Sequence, residues 1–264
     1  MSNPYEEAPV PVRSNLLTYT HGFSTRCGGV SEGIFATLNL GMTRGDDPEK
    51  VKENYRRFLS ACGIGQKAFV CGNQVHGNHV MIVGAQDARE PYGYDELFMA
   101  DGYVTAEAGV PLVIFTADCI PLLMEDPKAG VVAAVHSGWR STVLDIERNA
   151  IDAMVSLGAS KSNIRACIGP AICRNCFEVG SEVIEEVEKL LQGAAGDFYD
   201  KKDNGKFMLD LKGVVKRCLM NTGLLEENID VIPDCTLCLP EKYWSHRYTG
   251  GNRGSQASVI MKSV

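Results

Sequence analysis

A thiol and two imidazoles, each placed after a short apolar run, are the side chains of this sequence best suited to chemistry. Pro111 to Thr116 is rich in β-branched residues and too short to cross a membrane, so it reads as a buried strand delivering Ala117-Asp118-Cys119. Val131 to Val135 delivers His136, which is followed by a Ser137-Gly138 turn and a helical pattern from near Trp139. Ala68 to Cys71 leads into GNQVHG at residues 72–77, a turn that carries His76. A lone cysteine or histidine at a strand end is more often packed structure than catalyst. Two histidines and a cysteine from three separated turns make a different case. Brought together, they would make a three-ligand zinc site with the fourth position open to water or substrate, the catalytic rather than the structural pattern. Helix amides exposed after Gly138, with Arg140 beside them, add an expected anion site.

The same side chains admit two other chemistries. In a metal-free Cys-His hydrolase or amidase, His136 lowers the pKa of Cys119 and the thiolate attacks an amide, which leaves His76 without a task. In a copper polyphenol oxidase several copper ions need many imidazoles, and the chain has five histidines. The H-x-E signature of cytidine-type zinc deaminases is absent, because no histidine is followed two residues later by glutamate.

The elements around these residues indicate a mixed α/β chain. Asp46-Asp47-Pro48 starts a helix whose Val51, Tyr55, Phe58, Leu59 and Cys62 share one face. Strands are expected at His79–Val83, after Asp101-Gly102, at Ile164–Ile168 and at Ile229–Ile232. Helices are expected over Thr142–Leu157, about Ser181–Leu191, and Leu211–Met220. Residues 86–98 read as a mobile polar loop. GGVSEG, residues 28–33, lacks the lysine of a phosphate loop. Asp101 reads most simply as a turn-capping carboxylate. Cys173/Cys176 and Cys235/Cys238 are two CxxC pairs, but far apart in sequence and without knuckle glycines, so they read as packed or redox-idle thiols rather than a four-cysteine zinc site.

A length of 264 residues with 45% hydrophobic composition supports a sizeable core. A net charge of −7 argues against a nucleic-acid partner. No apolar stretch approaches twenty residues, so no membrane span is expected. The first twelve residues lack a signal peptide's basic and apolar regions, so a cytoplasmic location is expected, with the ten cysteines mostly reduced.

NQVHG, ADGYVT, TADCIPLL, AAVHSGWRST, IGPAI followed by FEVG, and DCT followed by WSHRYTGGNRG resemble the YfiH family, also called the laccase-domain or multicopper polyphenol oxidase family, from about Tyr19 to Ile260. The resemblance implies an α/β (α+β) fold, a single-domain α-β-β-α sandwich of the cytotoxic-necrotizing-factor-like type with a zinc pocket at one end. Residues 1–15 are then an extended N-terminal segment and residues 16–264 one catalytic domain, monomeric or homodimeric. It implies His76, Cys119 and His136 as zinc (Zn2+) ligands. The implied activity is phosphorolysis of adenosine, inosine and methylthioadenosine, with possible adenosine deamination, so the expected partners are a purine nucleoside and phosphate. Some bacterial relatives are thought to cleave an amide in cell-wall precursors instead. Carried onto this sequence, the family motifs single out Arg26, Gln74, Arg247 and Arg253 as substrate or phosphate contacts beside Arg140. Asp101 or Asp118 would protonate the leaving purine. Tyr55 stands where the family often has arginine, so that role would move to Arg56 or be lost, and Tyr248-Thr249 replaces the usual Arg-Asp.

Overall fold

The computed structural model describes residues 8–93 and 98–263. Among them, fourteen strands run in the order β1 Thr20–Phe23, β2 Gly72–Asn73, β3 Val80–Ile82, β4 Phe98–Met99, β5 Gly102–Thr105, β6 Leu112–Thr116, β7 Ile120–Asp126, β8 Val131–Ser137, β9 Arg165–Ile168, β10 Glu178–Val179, β11 Tyr199–Lys201, β12 Phe207–Leu209, β13 Ile229–Val231 and β14 Gln256–Met261. The helices are α1 Pro48–Cys62, α2 Trp139–Val143, α3 Ile146–Ser156, α4 Ser181–Leu190, α5 Leu211–Asn221 and α6 His246–Thr249. Part of the loop expected over residues 86–98 lies outside the described residues, as do the first seven.

Two sheets stack at the centre. The larger has the order β13-β9-β7-β8-β5-β3, antiparallel except for its two edge pairs, and the smaller is the antiparallel β1-β14-β6. Strands β7 and β8 are buried along their whole length because both of their faces are covered. Their period-two alternation separates the two layers. Leu122, Met124, Val131, Ala133 and Val135 pack on the helical side with Ile151, Met154, Val215 and Leu219, while Leu123, Val132 and Ala134 meet Leu112, Ile114 and Ile260 of the smaller sheet. The other face of the smaller sheet, through Val113, Ala257 and Val259, takes the apolar stripe of α1. The layers are therefore helix, sheet, sheet, helix.

Helix α1 begins where its cap signals place it, with the Asp47 side chain accepting from the Glu49 N–H and Pro48 in the first turn. The helix expected over Thr142–Leu157 is in fact two helices. Asp145 takes a left-handed conformation, φ 59°, and breaks the run between α2 and α3. Strand β7 is the main unforeseen element, since Pro121 argues against a central strand. It is tolerated at the strand's first turn, before the β9 pairing starts at Leu122, and its carbonyl accepts from Gly169.

Glu147 of α3 is fully buried, with Oε1 accepting from Ser137 Oγ at 2.5 Å and Oε2 without a partner among the described residues. Burial pushes its carboxyl up to about 8, against the opposing hydrogen bond from Ser137. The folded state thus keeps a proton that the unfolded chain releases near 4.5. This contribution is fully present below that pH and is lost as pH rises through about 8, at about 1.4 kcal/mol per pH unit in between. Glu147→Gln is expected to flatten this slope. Thermal unfolding from pH 5 to 9 should show the variant gaining on the wild type by several degrees at the alkaline end, and parallel curves would refute the assignment.

Candidate active site

The chain changes sheets at the site. Strand β6 ends the smaller sheet at Thr116, β7 opens the larger one at Ile120, and Ala117-Asp118-Cys119 makes the crossing with Asp118 at φ 86°. Asp118 is held there from three sides. Its Oδ1 accepts from Thr236 Oγ1 at 2.6 Å, its Oδ2 from the Arg247 N–H at 2.7 Å, and its carbonyl from the Ile172 N–H at 3.0 Å. The crossing places Cys119 beside His136, which lies one residue inside the end of β8 rather than beyond it.

Asp101, fully buried between β4 and β5, organises both histidines. It accepts from the N–H groups of Val75, His76 and Gly77 at 3.1, 3.0 and 2.8 Å, pinning a turn in which His76 sits at φ 59°. Its Oδ1 also lies 2.8 Å from His136 Nδ1, and its carbonyl accepts from the His136 N–H. A proton on His136 Nδ1 toward this carboxylate leaves Nε2 as the lone-pair nitrogen. Burial opposes the Asp101 charge, but His136 and the N–H donors of Gly77 and Val75 outweigh it and hold the carboxyl below its ordinary range.

One ligand atom each of His76, Cys119 and His136 lies within 4.8 Å of the others. Cys119 Sγ is 3.9 Å from His76 Nε2, and the two imidazoles meet edge to face at 4.8 Å. Gly138 allows this approach, because a Cβ there would lie 3.0 Å from His76 Cδ2 and 3.2 Å from Cys119 Sγ. Desolvation raises the Cys119 thiol, but the charge and hydrogen bond of His136, with help from His76, bring it down to about 6. Burial lowers His136, and the Cys119 thiolate and Asp101 reverse this and raise it to about 9. A borderline N2S donor set with a carboxylate behind one imidazole fits zinc.

The three residues line an open cleft of about 150 Å³ with Met42, Gln74, Phe115, Arg44 and Arg253. No carboxylate lines it among the described residues. Arg253 is mostly buried, donates through Nη1 to Gly254 O and Ser255 Oγ at 2.8 and 3.0 Å, and has an unpartnered Nε. Burial and the neighbouring Arg44 lower its pKa to about 10, so the pair favours an anion in the cleft. Gln74 brackets Phe115, donating to its carbonyl and accepting from its N–H, both at 2.7 Å.

Other sequence candidates lie elsewhere. Arg140 is exposed on the five-residue α2, 4.3 Å over the Trp139 ring. Arg26 lies 3.9 Å over Trp244 and donates to the carbonyls of Pro240 and Ala36 at 2.7 and 3.0 Å, bracing its turn. Arg247 donates to Glu178 O at 3.0 Å beneath Phe177. Asp101 and Asp118 flank the cleft without lining it. Sequence reasoning passed over Arg44 and Phe115, since neither stands in a chemically suggestive local pattern.

The family model described as multi-copper polyphenol oxidoreductase laccase matches residues 20–263. The chain belongs to this family, which includes YfiH. A purine nucleoside phosphorylase of Deinococcus radiodurans is 38% identical over 249 residues, covering 94% of this chain and 91% of the relative. One from Bacteroides thetaiotaomicron is 32% identical over 94% and 93% of the two chains. The solved structure of YlmD from Geobacillus stearothermophilus superposes with a TM-score of 0.90 at 29% identity, over 98% and 97% of the chains, and YfiH of Bacillus licheniformis with 0.86 over 91% of each. The family's description implies several copper ions, and two imidazoles with one thiol are too few donors to hold a multi-copper centre. Of the five histidines, His21 is tied to Tyr19 O and Ser14 N, His79 to Met99 O, and His246 of α6 does not line the cleft, so the imidazoles of His76 and His136 and the thiol of Cys119 are what reach it. No helix among the described residues is long and apolar enough to cross a membrane.

Proposed function

We propose that this chain is a zinc-dependent purine nucleoside phosphorylase acting on adenosine, inosine and methylthioadenosine. The observation that carries the reading is the shared cleft, where an N2S donor triad and two guanidinium groups lie together without a carboxylate. The relatives' names supply the substrate class. Held by His76, Cys119 and His136, zinc would supply a Lewis acid with one coordination position free for substrate. Arg44 and Arg253 bind phosphate, and Phe115 with Met42 gives the purine an apolar wall. A phosphate oxygen forms the bond to the ribose C1′ while the C1′–N9 bond breaks, its electron pair leaving with the purine, which takes up a proton. Asp101 and Asp118 serve this chemistry by positioning, since both carboxylates are occupied by protein donors. Adenosine deamination in the same cleft would use water in place of phosphate, its oxygen bonding to the adenine C6 while the C6–N6 bond breaks and ammonia leaves.

The test is hypoxanthine release from inosine with and without phosphate, in wild type and Arg44→Ala. Losing one charged hydrogen-bonding partner costs about 1.5–3 kcal/mol, so the phosphate KM should rise by about 10- to 100-fold while the inosine KM changes little. Equal release without phosphate would overturn the reading. A second reading, a Cys-His hydrolase of small amides, is favoured by the Cys119 thiol at about 6 beside His136. Alkylation of Cys119 by iodoacetamide at pH 7 that zinc does not block, together with amide cleavage and no zinc in the purified protein, would favour it.

A further inference from the structure

The two CxxC pairs are 62 residues apart, yet the fold closes them on each other. Cys173 and Cys176 follow β9, Cys235 and Cys238 follow β13, and parallel pairing of those strands brings both loops out at the same edge. The four Sγ atoms all lie within 4.8 Å of one another, and all four are free thiols. Cys176 and Cys238 Sγ are 3.3 Å apart, and Cys235 Sγ accepts from the Cys173 N–H at 3.3 Å. Sulfurs bound tetrahedrally to zinc at about 2.3 Å would be separated by about 3.8 Å, so the cluster has the right size. A lysine stands beside it. Lys212 is mostly buried, donates to Ile232 O at 2.7 Å and Asp234 O at 2.9 Å, and exerts its charge on Cys235 and Cys173. Four thiolates around a divalent ion carry two net negative charges, and a buried ammonium offsets part of that cost.

We propose that Cys173, Cys176, Cys235 and Cys238 bind a second, structural zinc ion as a tetrathiolate, separate from the His76–Cys119–His136 site. Binding releases the four thiol protons and involves no oxidation. The ion staples together the two loops that hold the sheet crossing. Ile172 and Thr236, each one residue from a cysteine of the cluster, bond Asp118, and Thr236 N–H also donates to Ala171 O at 3.3 Å. The staple therefore fixes Asp118, and through it the position of Cys119, from outside the cleft. This holds whichever reaction the cleft performs.

Elemental analysis of the full chain, purified under reducing conditions, tests the proposal. Wild type should carry two equivalents of zinc, Cys119→Ser about one, and the Cys176→Ser/Cys238→Ser double variant about one retained at the cleft. The Cys119→Ser protein keeps all four cysteines, so its cobalt-substituted form should show the thiolate-to-cobalt charge-transfer band and the strong visible bands of a tetrathiolate. A chelator should remove that spectrum and lower the melting temperature. One equivalent in wild type together with no tetrathiolate spectrum in Cys119→Ser overturns the proposal, whether or not the double variant folds. A Cys176–Cys238 disulfide in the metal-free native protein, found by thiol counting, does so as well. Two equivalents with no phosphorolysis would instead spare this site and remove the nucleoside reading.

Discussion

Cys119→Ser should leave a folded protein that has lost the cleft metal and has lower phosphorolytic activity by on the order of 10³-fold or more. The residue sits on a crossing held by Asp118 through the side chain of Thr236 and the N–H groups of Arg247 and Ile172, none of which the substitution touches. Folding should therefore survive while the donor set falls from N2S to two imidazoles. Serine is a poor zinc ligand at neutral pH because its hydroxyl does not ionise there. Zinc bound per chain and kcat/KM for inosine, measured on one preparation, check both halves. Full turnover with zinc lost would show that the cleft metal is not needed. Full zinc with turnover lost would move the cysteine's role to nucleophilic chemistry.

Removing Asp101 should have the second largest effect. Asp101→Ala strips the acceptor from three part-buried N–H groups and from the buried His136 Nδ1 at once. Leaving such donors unpaired costs about 3–5 kcal/mol, visible as a fall in the denaturation midpoint at unchanged slope. Asp101→Asn is the sharper variant. It keeps the shape, but its amide must point a donor at an N–H group or at the imidazole. Its zinc affinity should fall by about 10- to 100-fold, and turnover should recover when zinc is saturating. If Asp101 instead gave the purine its proton, turnover would stay low at saturating zinc, and the positioning role would be wrong.

The three zinc-ligand candidates were readable because each ends a local pattern, an apolar run followed by a turn, and such patterns survive in one dimension. Helix α1 was readable for the same reason, through its cap, its proline and its apolar stripe. Strand β7 was not, because Pro121 mimics a strand breaker and only the pairing register shows that its missing donor falls where no β9 ladder bond is needed. The break in the helix at Asp145 likewise depends on a left-handed residue that apolar periodicity does not register.

The arginines divide on the same principle. Arg26, Arg140 and Arg247 stand in suggestive motifs but brace a turn, cover a tryptophan and cap a loop carbonyl. Arg44 and Arg253, 209 residues apart in the numbering, line the cleft because the smaller sheet and its flanking loops bring them there. What the sequence by itself determined is the inventory of reactive groups, the local elements that end on them, and membership of the family. What the tertiary structure decided is which groups meet: the cationic pair beside the metal triad, Asp101 behind both histidines, and the closure of two distant CxxC pairs into one cluster. The reason is physical. Local backbone preference and hydrophobic periodicity act over a few residues, whereas these meetings are set by strand register and sheet stacking, which depend on contacts across the whole chain.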